Sequence, residues 1–154
     1  MEINYLNGDA TSPIGDGKKI IAHICNDVNA WGSGFVLALN KKWSTPEQQY
    51  RRLGKKSLVL GNVQFVPVKN NIVVANMIAQ RDIKPNSEGV PPIRYAALDV
   101  CLQKVARMAK SMNTSVHMPR IGCGLAGGYW ELIEVIIKKQ LVDKGVEVYV
   151  YDFN

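Results

Sequence analysis

Between Lys18 and Cys25 the chain sets Ile20, Ile21, Ala22 and Ile24 in nearly unbroken apolar succession. A strand with apolar side chains on both faces of its pleat has to be covered on both faces, which implies helices above and below it. The neighbouring segments supply them. Ile3 to Leu6 reads as a short first strand that ends at the turn Asn7-Gly8-Asp9. A helix is expected from about Ser33, with Phe35, Val36, Leu39 and Trp43 at helical spacing. A second, shorter one begins at Thr45-Pro46-Glu47, where proline suits the first helical turn. Asn62 to Val68 alternates around Pro67 and predicts an edge strand, whereas Ile72 to Ile78 is apolar enough for a central one.

Arg81 to Pro92 is polar, holds Gly89 and three prolines, and reads as a loop long enough to serve a function. Ile93 to Met112 is the clearest helix, with Leu98, Cys101, Leu102, Val105 and Met108 along one side. A strand at Thr114 to Met118 follows. A helix from Trp130 to Lys144 comes next, with Glu134 and Lys138 as an i,i+4 pair, and Gly145 stops it. Val146 to Tyr151 is the last strand. Strands alternating with helices over 154 residues predict one layered α/β domain, residues 1–154, on a mostly parallel or mixed sheet.

Composition narrows the function classes. A hydrophobic fraction of 47% with 21% charged residues excludes a disordered or collagen-like chain. Nineteen Lys and Arg against thirteen Asp and Glu leave +6, which suits anionic partners without naming them. Cys25, Cys101 and Cys123 form no C-x-x-C pair, and His23 and His117 stand outside any zinc spacing. No metal, cofactor or disulfide framework is expected, and a reducing cytoplasm is the expected setting. Met1 to Tyr5 lacks the shape of a signal peptide. No apolar run approaches the ~20 residues of a membrane span, so no membrane partner is expected.

Two loops carry the chemistry. The first runs from Asn26 to Phe35 through Trp31-Gly32-Ser33-Gly34, and the second from Pro119 to Gly128 through Gly122-Cys123-Gly124-Leu125-Ala126-Gly127. Each leads from a strand into a helix, where ligands bind in open α/β sheets. Glycine lets the backbone approach a ligand and turn its amides inward, and amides at a helix start attract phosphate. Facing each other, the loops would hold a diphosphate from two sides. The plainer reading of each is a tight turn. Neither fits G-x-x-x-x-G-K-[ST], nor G-x-G-x-x-G in a βαβ unit, so a P-loop triphosphatase and a Rossmann cofactor site are disfavoured.

Gly8-Asp9-Ala10-Thr11, His23-Ile24-Cys25-Asn26 with Trp31-Gly32-Ser33-Gly34, and Met118-Pro119-Arg120-Ile121-Gly122-Cys123-Gly124-Leu125 together resemble a macro domain of the Appr-1''-p processing family. The resemblance spans essentially the whole chain, including Val148-Tyr149-Val150-Tyr151. It is nearest the branch of yeast-type ADP-ribose 1''-phosphate phosphatases and terminal ADP-ribose protein glycohydrolases. It implies a three-layer α/β/α fold with a mixed sheet of about six strands.

The resemblance also assigns ligand contacts, with ADP-ribose or an ADP-ribosylated small molecule or protein as the partner. Asp9 would accept from the adenine amine, beside the Ala10 amide, and Asn26 would contact the distal ribose. Gly32, Ser33, Gly34 and Phe35 would form one phosphate loop, and Ile121, Gly122, Cys123, Gly124 and Leu125 the other. Tyr151 would pack near the adenine. Where glycohydrolase-like members carry an aspartate after G-C-G-L, this chain has Ala126, and where they carry a lysine it reads Ala79-Gln80-Arg81, with Lys84 farther on. A lysine–aspartate route lacks its acid here.

Single residues divide between two roles. His23 is either a general base or donor at the distal ribose, or a core histidine with one partner. Asp27 either activates water or bonds its own loop. Trp31 walls the ribose pocket or packs in the core, Cys123 is a thiolate candidate or small packing, and His117 reads as structural. The expected function is ADP-ribose binding with hydrolysis of an ADP-ribosyl derivative: the 1''-phosphate, O-acetyl-ADP-ribose or a modified side chain. The alternatives are a non-catalytic ADP-ribose reader and, less favoured, a nucleic-acid-binding domain motivated by the +6 charge.

Overall fold

The computed structural model describes residues 1–153. Six strands form one sheet: β1 (Asn4–Asn7), β2 (Lys19–Asn26), β3 (Val63–Lys69), β4 (Ile72–Gln80), β5 (Ser115–Pro119) and β6 (Val148–Asp152). Their spatial order is β1-β6-β5-β2-β4-β3, with every pair parallel except β3 against β4. The sheet is therefore mixed, with its one antiparallel strand at an edge. Pro67 explains that placement, because its missing N–H would break a central ladder, and the register shifts between Pro67 and Lys69.

Helices α1 (Phe35–Lys42) and α2 (Thr45–Arg51) cover one face, and α3 (Tyr95–Met112) and α4 (Trp130–Gln140) the other. The pleat of β2 divides its apolar run between them. Ile20 and Ala22 join the α3/α4 core, while Ile21 and Cys25 join Trp31, Leu39 and Tyr50 on the opposite side. β4 does the same, with Ala75, Met77 and Ala79 on one face and Val74 and Ile78 on the other. This is the three-layer α/β/α arrangement expected above. No helix among the described residues is long and apolar enough to cross a membrane.

Two local expectations change. The last helix breaks after Gln140, and Val142–Lys144 form a separate 3-10 turn that Gly145 ends at a φ of 85°. Lys138 reaches Glu2 at 3.0 Å instead of closing a helical pair with Glu134, whose carboxylate takes the Tyr5 hydroxyl. The 81–92 loop is fastened at its base by a Gln80–Ile93 bridge. It is tied again at its tip, where Asn86 Oδ1 accepts from the Glu88 and Val90 amides.

Candidate functional site

β2 and β5 are hydrogen-bonded parallel neighbours, so the two glycine loops leave the same rim side by side. Above them lies a cleft of two joined lobes. The smaller lobe, 460 Å³, takes its wall from Gly8, Asp9, Ala10 and Thr11, from α1 through Leu37, Ala38, Lys41 and Lys42, and from Tyr151 and Phe153. The larger, 1060 Å³, is walled by His23, Asn26, Trp31 to Phe35, Arg51, Gln80, Ile83, Arg120 to Ala126 and Asp152. Gly34, Phe35, Pro119, Tyr151 and Phe153 belong to both walls and make the lobes one groove. Asp9 and Ala10 thus stand in the small lobe. Asn26, Trp31, Gly32, Ser33 and the run Ile121, Gly122, Cys123, Gly124 and Leu125 stand in the large one, and Gly34, Phe35 and Tyr151 span the join.

Side-chain hydrogen bonds hold the first loop. Asn26 Oδ1 accepts from the Val28 and Ala30 amides at 3.0 Å each, and its Nδ2 donates to Ala30 O at 2.8 Å. The buried Tyr50 hydroxyl sits 2.6 Å from Asn26 O and 2.8 Å from its Oδ1. Arg51 fastens the loop from outside, donating to Asn29 O at 2.7 Å and Trp31 O at 3.2 Å. Trp31 is buried and donates to Asn40. Most of the hydrogen-bonding capacity of Asn26 is therefore used within the loop it organises.

Packing holds the second loop. A Cβ on Gly122 would come within 2.7 Å of Ile133 and 3.0 Å of Ile93, at a φ of 76°. One on Gly128 would fall 2.4 Å from Gly122 O, to which the Gly128 amide donates at 2.7 Å. These glycines serve the fold itself. Gly32, Gly34 and Gly124 differ, because a Cβ on any of them meets nothing within 4 Å. Gly32 also has no positive φ to explain it. Bare backbone that no neighbour requires, facing a groove from both sides, is surface that a ligand can approach closely.

The two expected catalytic side chains are placed differently. His23 is 2% exposed beneath the first loop, with Nε2 2.6 Å from Asn76 Oδ1 and its ring against Trp31 and Phe35. Burial pulls its pKa down to about 4, well below the ordinary histidine value that suited proton transfer near neutrality. Asp27 is absent from the cleft wall. Its carboxylate accepts from the Asp82 amide at 2.8 Å and lies 4.0 Å from Arg81, tying the first loop to the 81–92 loop. Cys25 and Cys123 reach the wall as thiols whose pKa burial pushes up. Ala126, standing where the resembled glycohydrolase branch carries an aspartate, lines the groove, and Lys84 does not line it.

At the small lobe Asp9 Oδ1 accepts from the Thr11 amide and hydroxyl at 2.8 and 2.7 Å. Tyr151 is buried with its hydroxyl bonded, whereas Phe153, 78% exposed, offers the open aromatic face. Sequence reading passed over Phe153, although its position one residue beyond the last strand's core alternation was the available signal. It gave no role to Arg120, which grips Asp152 with two bonds of 2.8 and 3.0 Å and lies 4.9 Å from the rings of Tyr5 and Trp130. That grip holds the Asp152 carboxyl below its usual range. Tyr50 and Arg51, the supports of the first loop, carried no local signal. Among the described residues no group of three His, Cys, Asp or Glu side chains gathers as a metal site.

No protein-family profile matches the sequence. Relatives and solved structures do. The chain is 34% identical over 161 residues to the mouse (Mus musculus) chromodomain-helicase-DNA-binding protein 1-like, covering 98% of this chain and 18% of that protein. It therefore spans less than a fifth of that relative's length. It is 30% identical over 166 residues to an ADP-ribose 1''-phosphate phosphatase of Lodderomyces elongisporus, covering 99% of this chain and all of that one. A macrodomain protein from Streptomyces coelicolor superposes with a TM-score of 0.88 at 44% identity, over 99% of this chain and 100% of that one. With end-to-end identity at this level, and with its glycine loops side by side on the rim of a six-stranded mixed sheet, the chain belongs to the macrodomain family.

Proposed function

We propose that this macrodomain, residues 1–154 taken as one unit, binds ADP-ribose along the groove and hydrolyses an ADP-ribosyl derivative at its distal end. The observation that carries the reading is the unobstructed backbone of Gly32, Gly34 and Gly124 on the two sides of one cleft. Main-chain N–H groups there would donate to the diphosphate oxygens. The adenine would enter the small lobe, its amine donating to the carboxylate of Asp9 and its ring lying against Phe153. The distal ribose would lie toward Asn26, Gly122 and Ala126, which wall the large lobe.

Substrates of this geometry are ADP-ribose 1''-phosphate, O-acetyl-ADP-ribose and ADP-ribosylated side chains, and the name of the Lodderomyces relative favours the first. In its hydrolysis, water supplies OH to the phosphorus, the bond from phosphorus to the anomeric oxygen breaks, and that oxygen takes a proton. With Ala126 in the wall and Lys84 outside it, the reading runs through water and not through a lysine adduct. His23, neutral and bonded to Asn76, supports Trp31 and Phe35 under the first loop, so the substrate's own phosphate oxygens are the proton acceptor we favour. Asp27 sets the Arg81–Asp82 bend at the distal end. A reducing cytoplasm suits three unpaired cysteines.

Calorimetric titration tests the binding. ADP-ribose should bind about tenfold or more tightly than AMP, since the diphosphate and distal ribose add contacts that AMP lacks. Equal, weak binding of the two removes the reading. The absence of Asp27 and Lys84 from the wall, with alanine at position 126, favours one second reading, a reader that holds ADP-ribose without turnover. Product analysis by mass spectrometry with the three substrates separates the two. Turnover lost in His23→Ala with binding kept excludes the reader, and binding without any product selects it.

A further inference from the structure

The purine lobe is built on a stretch with little regular structure, residues 8–18, that crosses the face of β5 and β6 and carries Asp9 and Ala10 into the wall. Its turn is closed internally, with Asp9 O accepting from the Ser12 amide at 2.9 Å and Asp9 Oδ1 from Thr11. The sheet anchors it at both ends. Before the turn, the Gly8 amide donates to Asp152 O at 2.9 Å. After it, beyond Pro13, the Ile14 amide donates to the Tyr151 hydroxyl at 3.0 Å.

Tyr151 does not hold its hydroxyl in place alone. His117 Nδ1 lies 2.7 Å from that oxygen, and His117 Nε2 lies 2.7 Å from Ser115 Oγ. The imidazole has no exposed surface and stacks on Tyr149 with ring centroids 4.9 Å apart and planes 7° from parallel. A neutral imidazole that donates from Nε2 to Ser115 accepts at Nδ1 from the Tyr151 hydroxyl. This leaves the hydroxyl lone pairs for the Ile14 amide. One chain of bonds therefore runs Ser115, His117, Tyr151, Ile14 and ends on the far side of the turn that presents Asp9.

We propose that His117 and the Tyr151 hydroxyl are positioning residues for purine recognition: they fix the 8–18 segment so that the Asp9 carboxylate meets the exocyclic amine of the base. The inference rests on the ADP-ribose reading and extends it to base selectivity. The Tyr151 ring walls the cleft, and its hydroxyl acts at a distance by setting the reach of Asp9.

The test uses Tyr151→Phe, which keeps the ring and deletes the hydroxyl, and His117→Phe, which keeps a ring to stack on Tyr149 and deletes both nitrogens. ADP-ribose and its inosine analogue, which lacks the amine, are titrated against each protein. The preference for ADP-ribose should fall about three- to tenfold in each variant, the worth of one weakened polar contact. The double variant should be no worse than either single one, because both cut the same chain of bonds. Exchange of the Thr11, Ser12 and Ile14 amides in the free protein should quicken in both variants, with the α3 core still protected. An unchanged base preference with unchanged exchange overturns the proposal, and so do losses that add in the double variant. If the unmodified protein binds neither nucleotide, the ADP-ribose reading fails and the exchange measurement still decides whether the two side chains fix the segment.

Discussion

The two loops that flank the groove leave the same rim of the sheet and are held by different physics. The first hangs on side-chain hydrogen bonds from Asn26, Tyr50 and Arg51, two of which come from α2, some twenty residues away. The second is wedged into the α3/α4 core by the absence of side chains at Gly122 and Gly128. A loop fixed by polar bonds depends on each partner's orientation, and one fixed by packing depends on volume alone. Both bring open backbone to the cleft wall, at Gly32 and Gly34 in the first loop and at Gly124 in the second.

The contrast orders the expected effects of perturbation. Gly122→Ala should cost about 3–4 kcal/mol, since it adds strain at positive φ to overlap with Ile133 and Ile93. Chemical denaturation measures it, and a cost below that of Asn26→Ala would break the comparison. Acid should act on the first loop. The pKa of His23 falls from the unfolded value to about 4 on folding, so between those values the unfolded chain binds the extra proton and stability rises with pH. The stability is complete above about pH 6.5 and is lost as the pH falls toward 4, by about 3 kcal/mol for this group. Amides of residues 28–34 should lose exchange protection over that range before those of 121–128.

Asn26→Ala removes the shared acceptor of two amides and the Tyr50 hydroxyl, and should cost about 2–3 kcal/mol by thermal or urea unfolding. A cost near zero would mean that packing holds the first loop as well. Gly32→Ala should leave stability within about 0.5 kcal/mol, there being open space at that position, and weaken ADP-ribose about tenfold. Unchanged affinity would show that the open strip is not where the diphosphate lies.

Much of this was readable along the chain. The apolar runs of β2 and β4 and the periodic face of α3 fixed the layering, because burial on one or both sides leaves a period in sequence. Pro67 marked the edge strand. The glycine loops could be read as possible backbone surfaces, but whether a given glycine serves packing or an approaching ligand depends on what stands opposite. Gly122 faces Ile133 while Gly124 faces nothing, and no local pattern separates them. His23 reads as a general base or as a core histidine with one partner, and only its burial at the foot of the wall and its bond to Asn76 show the environment that it meets. Asp27 reads either as a group at the ligand or as one that bonds nearby loop backbone, and the sequence does not show that its carboxylate meets the Asp82 amide 55 residues away.

The sequence by itself determined a sheet between two helical layers and the two strand-to-helix bends, since periodicity and backbone freedom are local properties. Only the tertiary structure decided that β5 lies beside β2, bringing the bends onto one rim. It also decided that Tyr50 and Arg51 reach back to the first bend and that His117 reaches the segment walling the small lobe through Tyr151. Those pairings join residues far apart in the chain, and their energies arise when the sheet closes and removes the groups from water.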